Sequence, residues 1–541
     1  PMALPRRYQV WKEVALPRAA VWNVLSHTER LNRRVGLSPV SYGDLQTESD
    51  GFFRPARAKV AGFDLRWREY PFEWETEHRH TVVRVYEKGP IERFEGGIEL
   101  EDAGLNRTKI CVFADICARG ATGAALVPVL ARQFLQQTLR FCDEIFDGHP
   151  NPQPRAPRPA RRDVNGPLLE RLTLELGSRA VPVRYANALQ EFLREAGDDE
   201  VTDLRPFEWA DHAKIERHEA LRTCLHAVKC GLLNLRWTAM CPNCRVAKAE
   251  TATLKTLGDN VHCEVCGVFY DLNFDRYIEL RFAVHPAVRK AKNDVYCLAG
   301  PFRARHILKQ QKIGANQSAV LPIPRANTEL RVRVLRSNRR LTLTENRADG
   351  AVCSPATLVL RAEGWSDGQK PLENAVSVAG GAFRVENQTR EAVLVVLEKT
   401  QWDEQAVSAA HVTSLQEFRD LFSSEILRPG RQIAVENLVL FFSDLSNSTA
   451  LYERIGDAPA FGRVGRHFDF LSEHIRENGG AVVKTMGDAV MAVFYRKEDA
   501  ARAAIRAQSE FPAFRATMSD LENVNIKIGL HFGPALAVNS N

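Results

Sequence analysis

The 541-residue sequence lacks the features that would place a protein in a membrane or outside the cell. It has no uninterrupted apolar run long enough to span a bilayer as a helix, and residues 1–7 lack the apolar core of a signal peptide. The excess of positive over negative charge is also small: the net charge is only +6, which is weak evidence for binding to nucleic acid or membranes. We therefore predict a cytoplasmic protein with no transmembrane segment and no nucleic-acid partner.

Cysteine is sparse as well, and its distribution fits a reducing compartment. Of the 11 cysteines, four form a metal-binding pattern and the others are scattered. Hydrophobic residues make up 45% of the chain and charged residues 26%, as in ordinary globular proteins. Because a chain of this length exceeds a single hydrophobic core, we predict a multidomain α+β protein.

Residues 1–146 are predicted to form one domain of strand, helix, several antiparallel strands and a long final helix. Alternation from Tyr8 to Val14 is typical of a strand, and helical spacing runs from about Ala124 to Phe146. This order resembles the START-like helix-grip fold, which implies an apolar or lipid-like ligand between sheet and helix. An ordinary core filled by aromatic side chains is the alternative. The candidate pocket residues are Trp22, Phe63, Trp67, Trp74, Tyr86 and Phe134.

A linker rich in proline and arginine follows at residues 147–166, where alternating prolines favour extended polyproline II. Residues 167–240 are predicted to be helical, and the helices that end in the stretch from Gly231 to Trp237 have winged-helix-like character. That pattern alone does not indicate DNA binding.

Residues 241–270 contain two CxxC knuckles. Cys241 and Cys244 form the first, Cys263 and Cys266 form the second, and 18 residues lie between them. Each knuckle places two thiolates on one side of a tight turn, so that two knuckles complete a tetrahedral site. The spacing resembles a zinc ribbon, and the closed Cys₄ set predicts a structural zinc ion. A redox dithiol and a chance arrangement are the alternatives.

Residues 271–410 are predicted to be rich in β-structure, with a β-sandwich as the default architecture. They show no catalytic constellation. Residues 411–435 are predicted to be a connector that transmits a signal or acts as a passive tether.

Two aspartates stand at the ends of apolar strands within residues 436–541. Asp444 follows the apolar residues 438–442, and Asp488 precedes the apolar strand at residues 490–494. Two carboxylates at strand ends can hold two hard divalent cations, as phosphate chemistry on a nucleotide requires. The alternative is a pair of acidic turn residues on an ordinary α/β domain. Between the aspartates, Asp457 is predicted to begin a long amphipathic helix that Gly479 ends.

These motifs resemble the catalytic domain of class III adenylate/guanylate cyclases. The resemblance implies a partial ferredoxin-like α/β domain in which Asp444 and Asp488 bind two Mg²⁺ or Mn²⁺ ions, assisted by the carbonyl of Leu445. It also implies that Lys484 reads the base. Lysine there favours adenine, because a cationic donor can meet the N1 acceptor.

The same resemblance places Asn447, Ser448 and Thr449 in the loop that meets the triphosphate, ahead of a helix N-terminus. Asn447 stands where the family often has glycine, but asparagine tolerates positive φ better than most residues. The sequence stops at Asn541, before the strand and helix that in the family carry a second base-reading residue, an Asn and an Arg. We expect a fragment of a longer natural protein that is inactive by itself; a naturally degenerate cyclase is less favoured.

We therefore predict an adenylate cyclase that forms cyclic AMP and pyrophosphate from ATP by two-metal catalysis, regulated by a ligand-sensing N-terminal domain. The resemblance implies a head-to-tail homodimer in which one subunit gives the two aspartates and the other gives the lysine. The main alternative is a catalytically inactive regulatory protein that uses the cyclase-like domain for dimerisation or nucleotide binding. A lipid-transfer protein with accessory domains is a third interpretation.

Overall fold

The computed structural model describes residues 4–48, 51–60, 63–147, 163–254, 260–263, 268–271, 277–292, 294–297, 300–323, 329–337, 339–345, 356–378, 381–422, 432–518 and 524–538. Most of the predicted linker and Cys266 lie outside these residues. The described chain is a mixture of helices and strands, so the predicted α+β class is confirmed. None of its helices is both long and apolar enough to cross a membrane.

The N-terminal part is an antiparallel sheet with a long helix packed against it. Its elements are β1 (Arg6–Val14), α1 (Arg18–Leu25), α2 (Thr28–Arg34), β2 (Ser41–Tyr42), β3 (Gln46–Glu48), β4 (Gly51–Val60), β5 (Phe63–Glu69), β6 (Glu73–Glu75), β7 (Arg79–Tyr86), β8 (Ile91–Asp102), β9 (Thr108–Ala118) and α3 (Gly120–Phe146). The strands run in the order β1-β9-β8-β7, and β5 and β4 follow from β7. α3 contacts β1 and β9 because its buried residues Val127, Ala131 and Leu135 recur every four positions. The predicted order of elements is present, and the START-like resemblance stays a prediction.

A helical bundle with a small sheet follows. Its elements are α4 (Gly166–Gly177), α5 (Val183–Glu195), α6 (Asp198–Thr202), α7 (Pro206–Ala213), α8 (Arg217–Cys230), β10 (Leu233–Met240), β11 (Ala247–Thr251), β12 (Asn260–Cys263), β13 (Val268–Asp271) and β14 (Ile278–Val284). Residues 233–240 were predicted as the end of the helical segment but form a strand. The reason is that Leu233, Leu235 and Trp237 alternate with more exposed residues and pack into the bundle core, while β11 and β14 pair on either side.

The β-rich part contains β15 (Ile307–Ile313), β16 (Ser318–Pro322), β17 (Leu330–Val334), β18 (Arg340–Glu345), β19 (Ala356–Leu360), β20 (Trp365–Ser366), β21 (Pro371–Leu372), β22 (Ala375–Val378), β23 (Ala382–Asn387) and β24 (Val393–Lys399). Two sheets, β15-β24-β17-β18-β22 and β16-β23-β19-β20-β21, share one apolar core. The first sheet continues into the N-terminal sheet, because Lys309 and Gln310 of β15 pair with Glu75 and Trp74 of β6. β14 stands apart from both, since it pairs with β10 of the helical part.

Two short helices, α9 (Ala409–Thr413) and α10 (Gln416–Leu421), then return the chain to the helical bundle. Phe418 of α10 is 2% exposed and meets Trp237 edge-on, with ring centroids 6.0 Å apart. Beside it, the Glu417 carboxylate accepts a hydrogen bond from Arg222 Nε at 2.6 Å and lies 2.7 Å from His226 Nε2. Apolar packing and a charged network therefore hold α10 on α8.

The C-terminal part contains β25 (Gln432–Ser446), α11 (Ser448–Ile455), α12 (Asp457–Glu477), β26 (Gly480–Met486), β27 (Ala489–Phe494), α13 (Lys497–Ala516) and β28 (Asn525–Val538). Its four strands are antiparallel in the order β26-β27-β25-β28. Helices α12 and α13 cover one face and build the core with Phe441, Leu471 and Phe494. The other face of the sheet, here called the open face, is not covered by these helices.

Glu417 is a carboxylate whose charge is stabilised by its neighbours. Burial alone would raise its pKa, but the hydrogen bonds from His226 and Arg222 outweigh burial and lower the pKa to about 2. Replacing it, as in Glu417→Gln, should therefore lower the free energy of unfolding by about 1–3 kcal/mol near neutral pH. Because the folded pKa is depressed, this stabilisation is complete above the ordinary value of 4.5 and is lost as the pH falls toward 2.

Urea unfolding of both proteins from about pH 6 to about pH 3 checks this, since the gap between their midpoints should narrow as the pH falls. Glu404→Gln serves as the control, because Glu404 is an exposed carboxylate in the same stretch of chain. A gap that stays constant down to about pH 3 contradicts the assignment.

Candidate functional site

The register of β25 decides which of its side chains face the open side. Phe441, Ser443 and Leu445 are buried under the helices, while Phe442 and Asp444 are exposed. Because side chains alternate along a strand, Asp444 lies at the end of the strand on the open face. Lys527 of β28 is its direct partner in register. The sequence reasoning did not identify this cross-strand cation beside the first aspartate.

Asp488 lies in the tight hairpin between β26 and β27. Met486 pairs with Ala489, so Gly487 and Asp488 are the two turn residues. Gly487 has φ of +63°, and positive φ at the first turn position alone is the pattern of a type II′ turn. Glycine at this position lets the chain reverse at once and leaves the next side chain, Asp488, at the tip.

The two aspartates come to the same end of neighbouring strands. Ser443 pairs with Val490, and the Ser443 hydroxyl accepts a hydrogen bond from the Val490 N–H at 3.3 Å. Asp444 is one residue beyond this pair and Asp488 is two residues before it on the other strand. Oδ2 of Asp488 is buried and has no hydrogen-bond partner among the described residues. A buried carboxylate oxygen without a donor suits a cation ligand, because it is costly to leave unpaired.

The residues after Asp444 form the predicted loop before a helix. Ser446 Oγ donates to the Asn525 carbonyl and accepts from the Asn525 N–H, both at 3.0 Å, which joins the loop to β28. Asn447 has φ of 61°, the left-handed conformation that its side chain tolerates. Ser448 and the exposed Thr449 then begin α11, whose first N–H groups are available for an anion.

Lys484 lies on the open face as well. It pairs with Met491, which in turn pairs with Phe442 on β25, so the three residues form one row across the sheet. Lys484 is exposed and lies on β26, two strands from β25. The spacing of strands in a sheet puts its backbone roughly 10–12 Å from the backbone of Asp444. Between Val482 and Lys484 the register shifts by one residue, a β-bulge at Val483.

His467 of α12 is a buried histidine that the sequence reasoning missed and that interacts with the charge of Asp488. It is 1% exposed, and neither ring nitrogen has a hydrogen-bond partner among the described residues. Burial lowers its pKa to about 4, and the Asp488 charge only partly opposes this effect. The imidazole is therefore neutral near neutral pH. A single histidine on a helix carries no sequence pattern that could have identified it.

Three of the four predicted zinc ligands converge. The sulfur atoms of Cys241, Cys244 and Cys263 lie within 4.8 Å of one another and all three residues are buried. Sγ of Cys244 is 3.6 Å from Sγ of Cys263. This cluster is compact enough to share one ion, and Cys266 lies outside the described residues. The thiols fit the soft ligand set that zinc prefers.

The first knuckle is held against the β-rich part. The Asn243 carbonyl lies 2.9 Å from His306 Nε2. Arg245 donates to the carbonyls of Lys399 and Gln401 at 2.9 and 2.6 Å. These contacts fix the knuckle at the end of β24.

The candidate pocket residues of the N-terminal part are not gathered in one place. Trp22 and Trp74 belong to the core beneath α1, and Phe134 packs against it. Trp67 and Tyr86 belong to a second, separate cluster, with ring centroids 5.6 Å apart. Trp74 also donates to the Ile307 carbonyl of β15 at 3.0 Å, so it lies at the junction with the β-rich part. The side chain of Phe63 lies outside the described residues.

Residues 432–539 match the family of adenylate and guanylate cyclase catalytic domains. We call these residues, which are similar to adenylate and guanylate cyclase catalytic domains, the cyclase segment. Residues 171–296 match a family of unknown function, DUF5939. Among curated proteins, none matches the chain.

Solved structures of an adenylyl cyclase, a guanylyl cyclase and an aromatase/cyclase are each similar to part of this chain. A bacterial light-regulated adenylyl cyclase is 24% identical and has a TM-score of 0.21, with 24% of this chain and 39% of that chain covered. A guanylyl cyclase domain of the fungus Blastocladiella emersonii is 24% identical, with a TM-score of 0.19 and coverage of 20% and 65%. The chain thus spans less than two thirds of either structure. An aromatase/cyclase, Zhui from Streptomyces sp. R1128, is 15% identical with a TM-score of 0.21, over 27% of this chain and 97% of that one.

The left-handed conformation of Asn447 gives a second prediction. Asn447→Val should lower the stability of the cyclase segment by about 1–2 kcal/mol, because a β-branched residue tolerates positive φ poorly. Asn447→Gly should stay within about 1 kcal/mol of the wild type. Thermal unfolding measures both, and Thr449→Val on the first turn of α11 controls for β-branching itself. Equal stability of the valine and glycine variants at position 447 would refute the assignment.

Proposed function

We propose that this protein is a nucleotide cyclase that converts ATP to cyclic AMP and pyrophosphate. The observation that carries the proposal is the placement of Asp444 and Asp488 at the same end of two paired strands, within a segment that matches cyclase catalytic domains. The buried, unpaired oxygen of Asp488 supports a role as cation ligand. Asp444 and Asp488, with the Leu445 carbonyl, would hold two Mg²⁺ or Mn²⁺ ions, whose chemistry is charge neutralisation of the triphosphate and activation of the 3′-hydroxyl.

The chain's own residues orient the substrate. The N–H groups at the start of α11, with Ser448 and Thr449, face the end of β25 and bind the triphosphate. Lys484 selects adenine, since its ammonium donates to the N1 acceptor and guanine presents a donor there. Adenine over guanine is our proposal from this residue, because solved relatives include adenylyl and guanylyl cyclases.

The open face supports a homodimer. Phe442, Val483 and Met486 are 40%, 36% and 41% exposed on or beside this face, a set of apolar side chains that a second copy would cover. In a head-to-tail pair, the aspartates of one subunit meet the lysine of the other. The separation of Lys484 from Asp444 by two strands within one chain agrees with their use in different sites.

For residues 1–146 our proposal is regulation by an apolar ligand, supported by the antiparallel sheet and the helix across it. For the cysteine cluster it is a structural zinc ion bound by Cys241, Cys244, Cys263 and Cys266. The contacts of Asn243 and Arg245 with the β-rich part support a structural role, because the ordered knuckle also fixes that junction.

The cyclase proposal predicts cyclic AMP formation from ATP with Mn²⁺. The assay should use this chain and any longer form that the gene encodes beyond Asn541. Asp444→Ala and Asp488→Ala should each lower the rate at least about 100-fold, because each removes a cation ligand worth several kcal/mol in the transition state. Asp469→Ala is the matched control, since Asp469 is an exposed carboxylate of the same segment on α12.

If folded, dimeric protein of every length forms no cyclic nucleotide from ATP or GTP, the catalytic proposal fails. Cyclic GMP as the dominant product would overturn only the proposal that Lys484 selects adenine.

The zinc proposal predicts about one tightly bound zinc ion per chain by elemental mass spectrometry. Cys241→Ser and Cys263→Ser should lose the ion and unfold at lower temperature, because metal binding adds to folding free energy. Cys230→Ser should retain zinc, since Cys230 is a buried cysteine at the end of α8 and outside the cluster. Purified wild-type protein without zinc, stable in the presence of a chelator, would contradict the proposal.

A further inference from the structure

The helical bundle contacts the cyclase segment at the strand that carries Lys484. β26 is the edge strand of the four-stranded sheet, so one side of its backbone has no strand partner among the described residues. Gln416, the first residue of α10, fills part of this edge. Its Oε1 accepts a hydrogen bond from the Val482 N–H at 2.8 Å.

The orientation of the Gln416 amide is fixed by Asp420. One turn further along α10, Oδ1 of Asp420 accepts a hydrogen bond from Gln416 Nε2 at 2.7 Å. A carboxylate accepts but cannot donate when ionised, so the amide nitrogen faces Asp420 and the oxygen is left for the strand. The contact with β26 is therefore specified by two residues.

The opposite side of α10 is anchored in the bundle. Glu417, the next residue, bonds to Arg222 and lies beside His226, and Phe418 packs against Trp237. Consecutive residues on one short helix thus hold the cyclase strand and the bundle. α10 therefore connects α8 of the bundle with the edge of β26.

A second contact lies next to this one. His411 of α9 stacks on Tyr495, the residue after β27, with ring centroids 4.8 Å apart and planes 9° from parallel. Tyr495 and Leu438 of the cyclase segment also pack against the bundle core. α9 and α10 therefore contact both β26 and the end of β27, so they hold the hairpin at the ends away from Asp488.

The hydrogen bond from Gln416 falls where it can direct Lys484. Val482 is the last residue before the β-bulge, and Lys484 is the first residue after it. A bulge re-aims the side chains that follow it. Fixing the Val482 N–H therefore helps to set the direction in which Lys484 leaves the open face.

We propose that Gln416 is a positioning residue for base selection: it holds the bulged edge of β26 through the Val482 N–H and so ties the placement of Lys484 to the state of the helical bundle. The effect on base selection rests on the proposed cyclase activity, whereas the hold of Gln416 on β26 rests on the described contacts alone.

The test compares the wild type with Gln416→Met, which keeps the length of the side chain and removes the acceptor. Amide hydrogen exchange of the peptide covering residues 480–486 should become about fivefold faster, as expected for the loss of one neutral hydrogen bond. Exchange in residues 525–538, on the far edge of the sheet, should not change. In the length of the protein that is active, the KM for ATP should rise about three- to tenfold with kcat within about twofold, and the preference for ATP over GTP should fall.

Rescue uses the double variant Gln416→Glu with Asp420→Asn. It exchanges the two polar groups: the amide introduced at position 420 can donate to the carboxylate introduced at position 416, whose second oxygen accepts from the Val482 N–H. Wild-type exchange and nucleotide preference should return. A merely structural contact would lower the activity with ATP and GTP in parallel, and that result would overturn the positioning role.

Unchanged exchange of residues 480–486 in Gln416→Met overturns the contact itself. Wild-type protein that forms no cyclic nucleotide at any length, including any form extended beyond Asn541, refutes the proposed function instead, and the exchange data then still decide whether Gln416 holds β26. The two failures are therefore distinguishable.

Discussion

The pairing of β25 with β27 on one side and β28 on the other is the constraint on which the candidate site depends. It buries Phe441, Ser443 and Leu445 and leaves Asp444 on the open face. A slip of one residue would reverse every side chain, burying a carboxylate and exposing a phenylalanine. The free-energy cost of burying the carboxylate and exposing the phenylalanine disfavours the slipped register. The native register brings Asp444 to the same level of the sheet as the turn with Asp488.

The same sheet is joined to the rest of the molecule by a continuous series of contacts. The N-terminal sheet continues into the β-rich part through β6 and β15. The β-rich part holds the first cysteine knuckle through His306 and Arg245. The helical bundle contacts the cyclase segment through α9 and α10. These contacts connect the N-terminal part, for which regulation is proposed, with the cyclase segment.

Local features of the site were accessible from the sequence because near neighbours determine them. A glycine–aspartate pair between two apolar strands predicts a tight turn with the carboxylate at its tip, and Gly487 has the required positive φ. Asn447 adopts the left-handed conformation that its side chain tolerates. The predicted helix from Asp457 is α12, which ends at Glu477, just before the paired glycines. The prediction that residues 167–240 are helical was wrong for residues 233–240. These residues form β10, because pairing with the strands on either side outweighed the helical tendency of the preceding segment.

By itself, the sequence determined the cyclase-like motifs, the alternation of β25 and the thiol pairs, since each lies within a few consecutive residues. Only the tertiary structure decided which strands share a sheet, that Lys484 and Asp444 face the same side, and that the buried His467 interacts with the charge of Asp488. It also decided that Gln416 holds the Val482 N–H, 66 residues further along the chain. Such contacts are set by the closing of long loops and the packing of whole elements. The local sequence around a polar residue at the start of a short helix is the same whether its side chain binds water or a strand edge.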